Sequence, residues 1–244
     1  MPPERHKGAP RFDNHCALRR MRGHAYRLGQ FIVIYVETNV LRQETNAQGG
    51  ALQRAGDTHP QLAAVRVRAP LVRQPDGYTC GVAALQSVLH YYGIVVRYDA
   101  LAATLGADPE QGTNYRRMVA YAQSCGLNVT CCTEMTLQQL YNEIDAGAPV
   151  IVALQAWGNG LANAYIDAWD DGHYAVVVGY DQDNVYLMDP STLGNYTYIP
   201  TAEFLARWHD CYEEAGEMIR LNRFGMVFRG AKVCYSPEQI LPMA

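Results

Sequence analysis

The chain is sparing with charge: Asp, Glu, Lys and Arg make up 18% of its 244 residues, against 49% hydrophobic. That balance excludes wholesale disorder, and the composition excludes collagen and coiled coil. Long apolar runs are missing as well. The longest, such as Phe31 to Val36 and Pro149 to Leu154, fall far short of the roughly 18 residues a membrane helix needs, so no transmembrane span is expected. Met1 to Gln30 carries charge but no apolar segment long enough for a secretory signal. The cysteines, at 16, 80, 125, 131, 132, 211 and 234, include no Cys-x-x-Cys, which argues against a zinc ribbon or a dithiol redox motif. Their odd number leaves a thiol unpaired, so the simplest compartment is reducing, the cytoplasm. No metal or other cofactor is expected, and no oligomeric state is specified.

What charge there is divides unevenly. Residues 1–73 carry a net +7 and residues 74–244 a net −11, within an overall −4. Two stretches of opposite sign rarely build one uniform domain, which puts a boundary in the sixties: a basic N-terminal arm over 1–65 and a folded domain over 66–244. The arm holds a basic cluster at Arg19, Arg20 and Arg22, a strand-like run from Phe31 to Val36, and a polar, Gly-rich linker from Gln43 to Asp57. No aromatic-rich recognition motif accompanies its charge, so no nucleic-acid partner is expected.

Beyond residue 65 the pattern sharpens. Val65 to Val72 reads as a short strand. Val82, Leu85, Val88, Leu89 and Tyr92 recur at helical spacing, with Thr79 placed as N-cap and Gly93 as terminator. Further helices are expected over Tyr98 to Leu105, from a Thr113 cap to Cys125, from Thr136 or its neighbour to Ile144, and over Thr201 to Trp208. Strands are expected at Pro149 to Leu154, His173 to Tyr180, Asn184 to Met188 and Thr197 to Ile199, with an edge strand from Met226 to Val233. A helix-rich half followed by a mostly antiparallel half is an α+β fold. The Gly/Asn/Asp-rich stretch Asn159 to Asp171 reads as a mobile loop.

One set of residues suggests chemistry. Cys80 falls in the first helical turn, where the helix dipole favours a thiolate, the form that attacks carbonyls. A nucleophilic thiol also needs a base. His173 opens an apolar strand, placing its imidazole at a sheet end that a cleft can reach, whereas His90 points away from Cys80 along the same helix. Asp189 follows the next strand. A hairpin centred on 182–183 pairs 173 with roughly 191, and cross-strand neighbours lie about 5 Å apart, so Asp189 can orient the imidazole. The competing reading of Asp189 is an ordinary Asp-Pro turn. Gln74, six residues before Cys80, supplies an amide donor that, with the Cys80 N–H, would stabilise an oxyanion by roughly 3 kcal/mol each.

Gln74-Pro-Asp-Gly-Tyr-Thr-Cys-Gly-Val-Ala-Ala-Leu85, Gly112-Thr113 before a helix, Gly147-Ala-Pro-Val-Ile-Val152, Gly172-His-Tyr-Ala-Val-Val-Val-Gly-Tyr180 and Met188-Asp-Pro190 together resemble the papain-like cysteine peptidases. More narrowly they resemble family 39, the bacteriocin-processing double-glycine leader peptidases. The similarity runs over about residues 68–205. It implies a papain-like fold and hydrolysis of a peptide or protein substrate through an acyl-thioenzyme, after Gly-Gly in typical members. Carried over, Cys80 is the nucleophile, His173 the general base and then acid, Asp189 the orienting residue and Gln74 the oxyanion donor. Many members are the N-terminal domain of a peptide exporter. This sequence shows neither membrane spans nor a GxxxxGK[ST] phosphate loop, so a free-standing domain is expected. Two other readings stay open: acyl transfer to an amine by the same fold, as in an amidase or transpeptidase, and a non-catalytic leader-peptide-binding module.

Overall fold

The structure, a computed structural model, describes residues 62–157, 165–214, 216–240 and 242–243. The basic arm up to residue 61, the Phe31 to Val36 run, the 43–57 linker and the first part of the Asn159 to Asp171 stretch lie outside the described residues.

The core is organised around helix α1 (Cys80–Tyr91). Its apolar residues are buried on nearly every face, not on one stripe, which makes α1 a central helix rather than a surface one. The polar side chains within it are satisfied locally: Gln86 Nε2 donates to the Val96 carbonyl at 2.8 Å and Ser87 Oγ to the Pro70 carbonyl at 2.6 Å. Helices α2 (Tyr98–Leu105) and α3 (Tyr115–Ser124) pack beside it. Gly81 allows the loop before α3 to approach, since a Cβ there would stand 2.7 Å from the Thr113 Cβ. That contact explains a difference from the sequence expectation. Thr113 is buried against α1 and does not cap α3; Asn114 does, its side chain accepting from Arg116 N at 2.9 Å. Helix α4 (Leu137–Asp145) starts with the expected cap, a reciprocal Thr136–Gln139 box.

Against α1 lies an antiparallel sheet built from β1 (Asn128–Cys132), β2 (Val150–Gln155), β3 (Gly172–Tyr180), β4 (Asn184–Met188), β5 (Thr197–Pro200) and β8 (Gly225–Arg229). Their spatial order is β1-β8-β2-β3-β4-β5. Helix α5 (Thr201–Arg207) follows β5, and β6 (His209–Glu214) pairs with β7 (Glu217–Asn222) as a separate hairpin. The α+β architecture is the expected one. The expected edge strand at 226–233 is instead an interior strand, β8, ending at Arg229, because it bonds to β1 on one side and β2 on the other. No element was expected at 128–132 or at 209–222. β1 shows no apolar alternation, and β6–β7 is rich in charge, so neither carries a strand's usual signature.

Residues 65–72 do not form the expected strand. Only Val65 bridges to Gly179, and the Arg66 and Val67 amides converge on the Val178 carbonyl at 2.9 Å each, where β3 is irregular against β4. Tyr196 and Ser87 side chains take the Ala69 and Pro70 carbonyls instead of a ladder. This crossing requires Gly179: a Cβ there would lie 2.1 Å from the Ala64 carbonyl oxygen. Gly179→Ala is expected to lower stability by about 1–3 kcal/mol through forced displacement of the 62–67 segment. Gly77→Ala, whose Cβ meets nothing within 4 Å, should stay within about 0.5 kcal/mol. Urea denaturation midpoints of the two variants check this.

Candidate functional site

The loop before α1 is braced by Asp76. Its Oδ1 accepts from Tyr78 N at 3.0 Å, Thr79 N at 2.9 Å and Thr79 Oγ1 at 2.7 Å. Thr79 stands at the N-cap position as expected, but its hydroxyl is spent on Asp76 and no side chain caps the helix. The positive end of α1 is thereby left facing the cleft at Cys80. Tyr98 Oη donates to the Thr79 carbonyl at 3.1 Å and ties this loop to α2.

His173 is the second residue of β3, opposite Leu154 of β2, so its backbone is fixed deep in the sheet. The residue is 5% exposed. Its Nε2 lies 2.8 Å from Asp189 Oδ1, and the Cys80 side chain is close enough to the ring to influence its protonation. Cys80 is itself 9% exposed. The sequence-predicted trio therefore comes together from three separate elements.

Asp189 sits just past β4. Both readings of it are realised in one side chain. It makes the turn, its Oδ1 accepting from Ser191 N at 2.9 Å and its Oδ2 from Ser191 Oγ at 2.7 Å and Thr192 Oγ1 at 3.0 Å. It also holds the imidazole. Burial works to raise the Asp189 pKa, but the hydrogen bond and charge of His173, with the Ser191 donors, outweigh it and hold the carboxyl far below the usual carboxylate range. For His173 burial works downward, yet the hydrogen bond to Asp189 and the nearness of Cys80 prevail and push it up to about 10.

Gln74 is tied to the same end of the hairpin, its N–H donating to the Pro190 carbonyl at 2.9 Å. Its side-chain Nε2 donates to the Asp76 carbonyl at 2.6 Å, which occupies one of two amide hydrogens, while Oε1 is buried without a partner. His90 stays apart from this group within α1, its Nε2 buried and unpartnered. His209 is buried in the hairpin, with Nε2 at 2.7 Å from the Ala168 carbonyl and the Trp169 ring 4.5 Å away.

Sequence reasoning missed three supporting features. Ser191 and Thr192 anchor Asp189, and Asp-Pro-Ser-Thr is itself a side-chain turn signature. Trp157, 59% exposed, sets its ring 5.8 Å from that of His173. Its signal was weak, a lone aromatic after a buried strand. Gln155, fully buried, donates to the His209 carbonyl and Asp210 and accepts from Asp171 N at 3.0 Å, which locks the start of β3 to the β6–β7 hairpin. A cleft of about 410 Å³ is lined by Cys80, Thr113, Trp157, Asp170 and Glu213 among others. No helix among the described residues is long and apolar enough to cross a membrane.

A thiol at an uncapped helix end, against an imidazole held by a carboxylate, can form a thiolate–imidazolium pair. The pair has a stability signature. The raised His173 pKa contributes stability that is full below the unfolded value of 6.5 and is lost as pH rises towards about 10. The lowered Asp189 pKa contributes stability that is full above the unfolded value of 3.8 and is lost as pH falls into acid. The gap in urea midpoint between wild type and Asp189→Asn should therefore be widest between those two values and shrink on both sides. A gap independent of pH would contradict the ion pair.

The sequence model described as the Peptidase_C39 like family matches residues 67–216. An uncharacterised protein of Methanothermobacter marburgensis is 30% identical over 121 residues, covering 50% of this chain and 71% of its own. Among solved structures, a putative C39-like peptidase from Bacillus anthracis is 18% identical and covers 68% of this chain and 97% of that chain, with a TM-score of 0.51. The peptidase domain of Streptococcus ComA, a bifunctional ABC transporter involved in quorum sensing, is 23% identical, covering 65% and 96%, with a TM-score of 0.48. The Bacillus anthracis likeness bears on the fold, and it agrees with the papain-like architecture expected from the sequence. With its helix-tip cysteine, its paired histidine and aspartate, and a family match spanning most of the described domain, the chain belongs to the Peptidase_C39-like family.

Proposed function

We propose that the protein is a cysteine peptidase that hydrolyses peptide bonds through an acyl-thioenzyme. The observation that carries this reading is the setting of one buried imidazole: His173 Nε2 lies 2.8 Å from Asp189 Oδ1, and the Cys80 side chain is close enough to raise the ring's pKa. In the proposed reaction the Cys80 sulfur attacks the scissile carbonyl carbon, and the thiol proton resides on His173. The resulting oxyanion receives hydrogen bonds from the Cys80 N–H and the second Nε2 hydrogen of Gln74. Collapse breaks the C–N bond as His173 protonates the departing amine. Water then attacks the thioester, giving its proton to His173, and the carboxylic acid leaves as the thiol is restored. Asp189 orients the imidazole and stabilises its charged form throughout. The burial of both Cys80 and His173 favours small residues beside the scissile bond, in keeping with cleavage after Gly-Gly in the family the sequence resembles.

Burial separates this reading from simple exposure. Cys131 and Cys234 are exposed and Cys80 is buried, so accessibility alone would make Cys80 the slower to alkylate. Faster iodoacetamide labelling of Cys80 than of these two, slowed in His173→Ala at neutral pH, is the expected result by peptide mass spectrometry. Cys80→Ala should reduce hydrolysis of a Gly-Gly peptide by at least about a thousandfold, and Asp189→Asn by about a hundredfold or more. Hydrolysis that survives Cys80→Ala would remove the assignment.

A further inference from the structure

The cleft beside Cys80 has a pronounced charge bias. Asp108, Asp170 and Glu213 line it along with Asp171 and Asp210, while Arg117 is the cation among the lining residues. Asp108 accepts from the backbone amides of Glu110 and Gln111. Asp170 and Glu213 are exposed, and among the described residues no ion pair engages Asp108, Asp170 or Glu213. The Arg117 guanidinium is directed at the Leu105 carbonyl, to which it donates at 3.2 Å.

A further feature points to a ligand in this space: the exposed indole of Trp157 also lines the cleft. The β2–β3 register pairs Leu154 with His173 and Gln155 with Gly172, and the Ala156 N–H donates to the Asp171 carbonyl at 2.9 Å. Continuing that register sets Trp157 across from Asp170 at the rim, beside His173. An aromatic face next to a carboxylate is a surface that attracts an ammonium or guanidinium group.

We propose that the cleft selects peptides carrying lysine or arginine side chains near the bond held at Cys80. The cationic side chain lies between Trp157 and the Asp170 and Glu213 carboxylates. This rests on the thiol-peptidase reading and adds its substrate class. Charge of one sign concentrated in a cleft raises the local concentration of an oppositely charged ligand, an effect that salt weakens.

The test is protection of Cys80 from iodoacetamide by two peptides that carry charge on both sides of Gly-Gly: acetyl-Ala-Lys-Ala-Gly-Gly-Ala-Lys-Ala-amide and its counterpart with Glu in place of Lys. Initial alkylation rates at Cys80 are read by mass spectrometry on the full chain. The lysine peptide should halve the rate at a concentration about tenfold or more below that of the glutamate peptide. That preference should fall towards unity at high salt in the wild-type protein, and to about threefold or less in Asp170→Asn/Glu213→Gln. Equal protection by the two peptides, protection by neither, or a preference untouched by salt and by the double substitution would overturn the proposal. Failure of Cys80 to react ahead of Cys131 and Cys234 without peptide would instead overturn the peptidase reading, and this inference with it.

Discussion

The site depends on one buried imidazole having two partners. His173 is nearly inaccessible to water, an environment that disfavours a charged ring. Asp189 reverses that preference from one side and Cys80 from the other. Remove either and the remaining arrangement is an ordinary buried histidine or an ordinary buried thiol. Asp189 can serve because its own burial is offset: Ser191 and Thr192 donate to the oxygen that does not face His173, and Ser191 N adds a bond to the one that does. The turn after β4 is thus both a chain reversal and the anchor of the charge.

The other half of the arrangement is a withheld interaction. A threonine at a helix start usually closes the first turn with its hydroxyl. Here Asp76 takes the Thr79 hydroxyl and two backbone amides into its own loop, so the α1 terminus keeps its positive end directed at Cys80. The same loop holds Gln74 through the Asp76 carbonyl and ties it to Pro190 beside Asp189. Loop, helix tip and hairpin end are therefore mechanically one unit, although they lie far apart along the chain. Gln155 and Arg207 do comparable work around the end of β2. Gln155 binds the Asp171 amide and the β6–β7 hairpin, and Arg207 donates to the Gln155 and Ala156 carbonyls immediately before Trp157.

Much of this was legible in the residues. The helix at Cys80, the strand at His173 and the strand before Asp189 each carry a strong local pattern, and the close turn between the two strands forces their ends together. Elements were missed where local pattern and tertiary role part company. β1 and the β6–β7 hairpin have little apolar alternation because their strands are largely exposed or border the cleft. β8 looked like an edge because nothing in a five-residue apolar strand reports how many neighbours it has. Val65 to Val72 looked like a strand because its alternation is real, but its Arg66 and Val67 amides share a single carbonyl at an irregular point in β3.

By itself the sequence determined the α+β class, the order of the elements and the identity of Cys80, His173, Asp189 and Gln74 as the residues to watch, because helix periodicity, caps and hairpin turns act over short stretches of chain. Only the tertiary structure decided that Asp189 is turn and partner at once, that Thr79 gives up its cap to Asp76, and that Trp157, Thr113 and a set of carboxylates share a cleft with Cys80. Those outcomes depend on contacts between residues tens of positions apart, where burial and competition for each hydrogen bond, rather than local spacing, choose the partner.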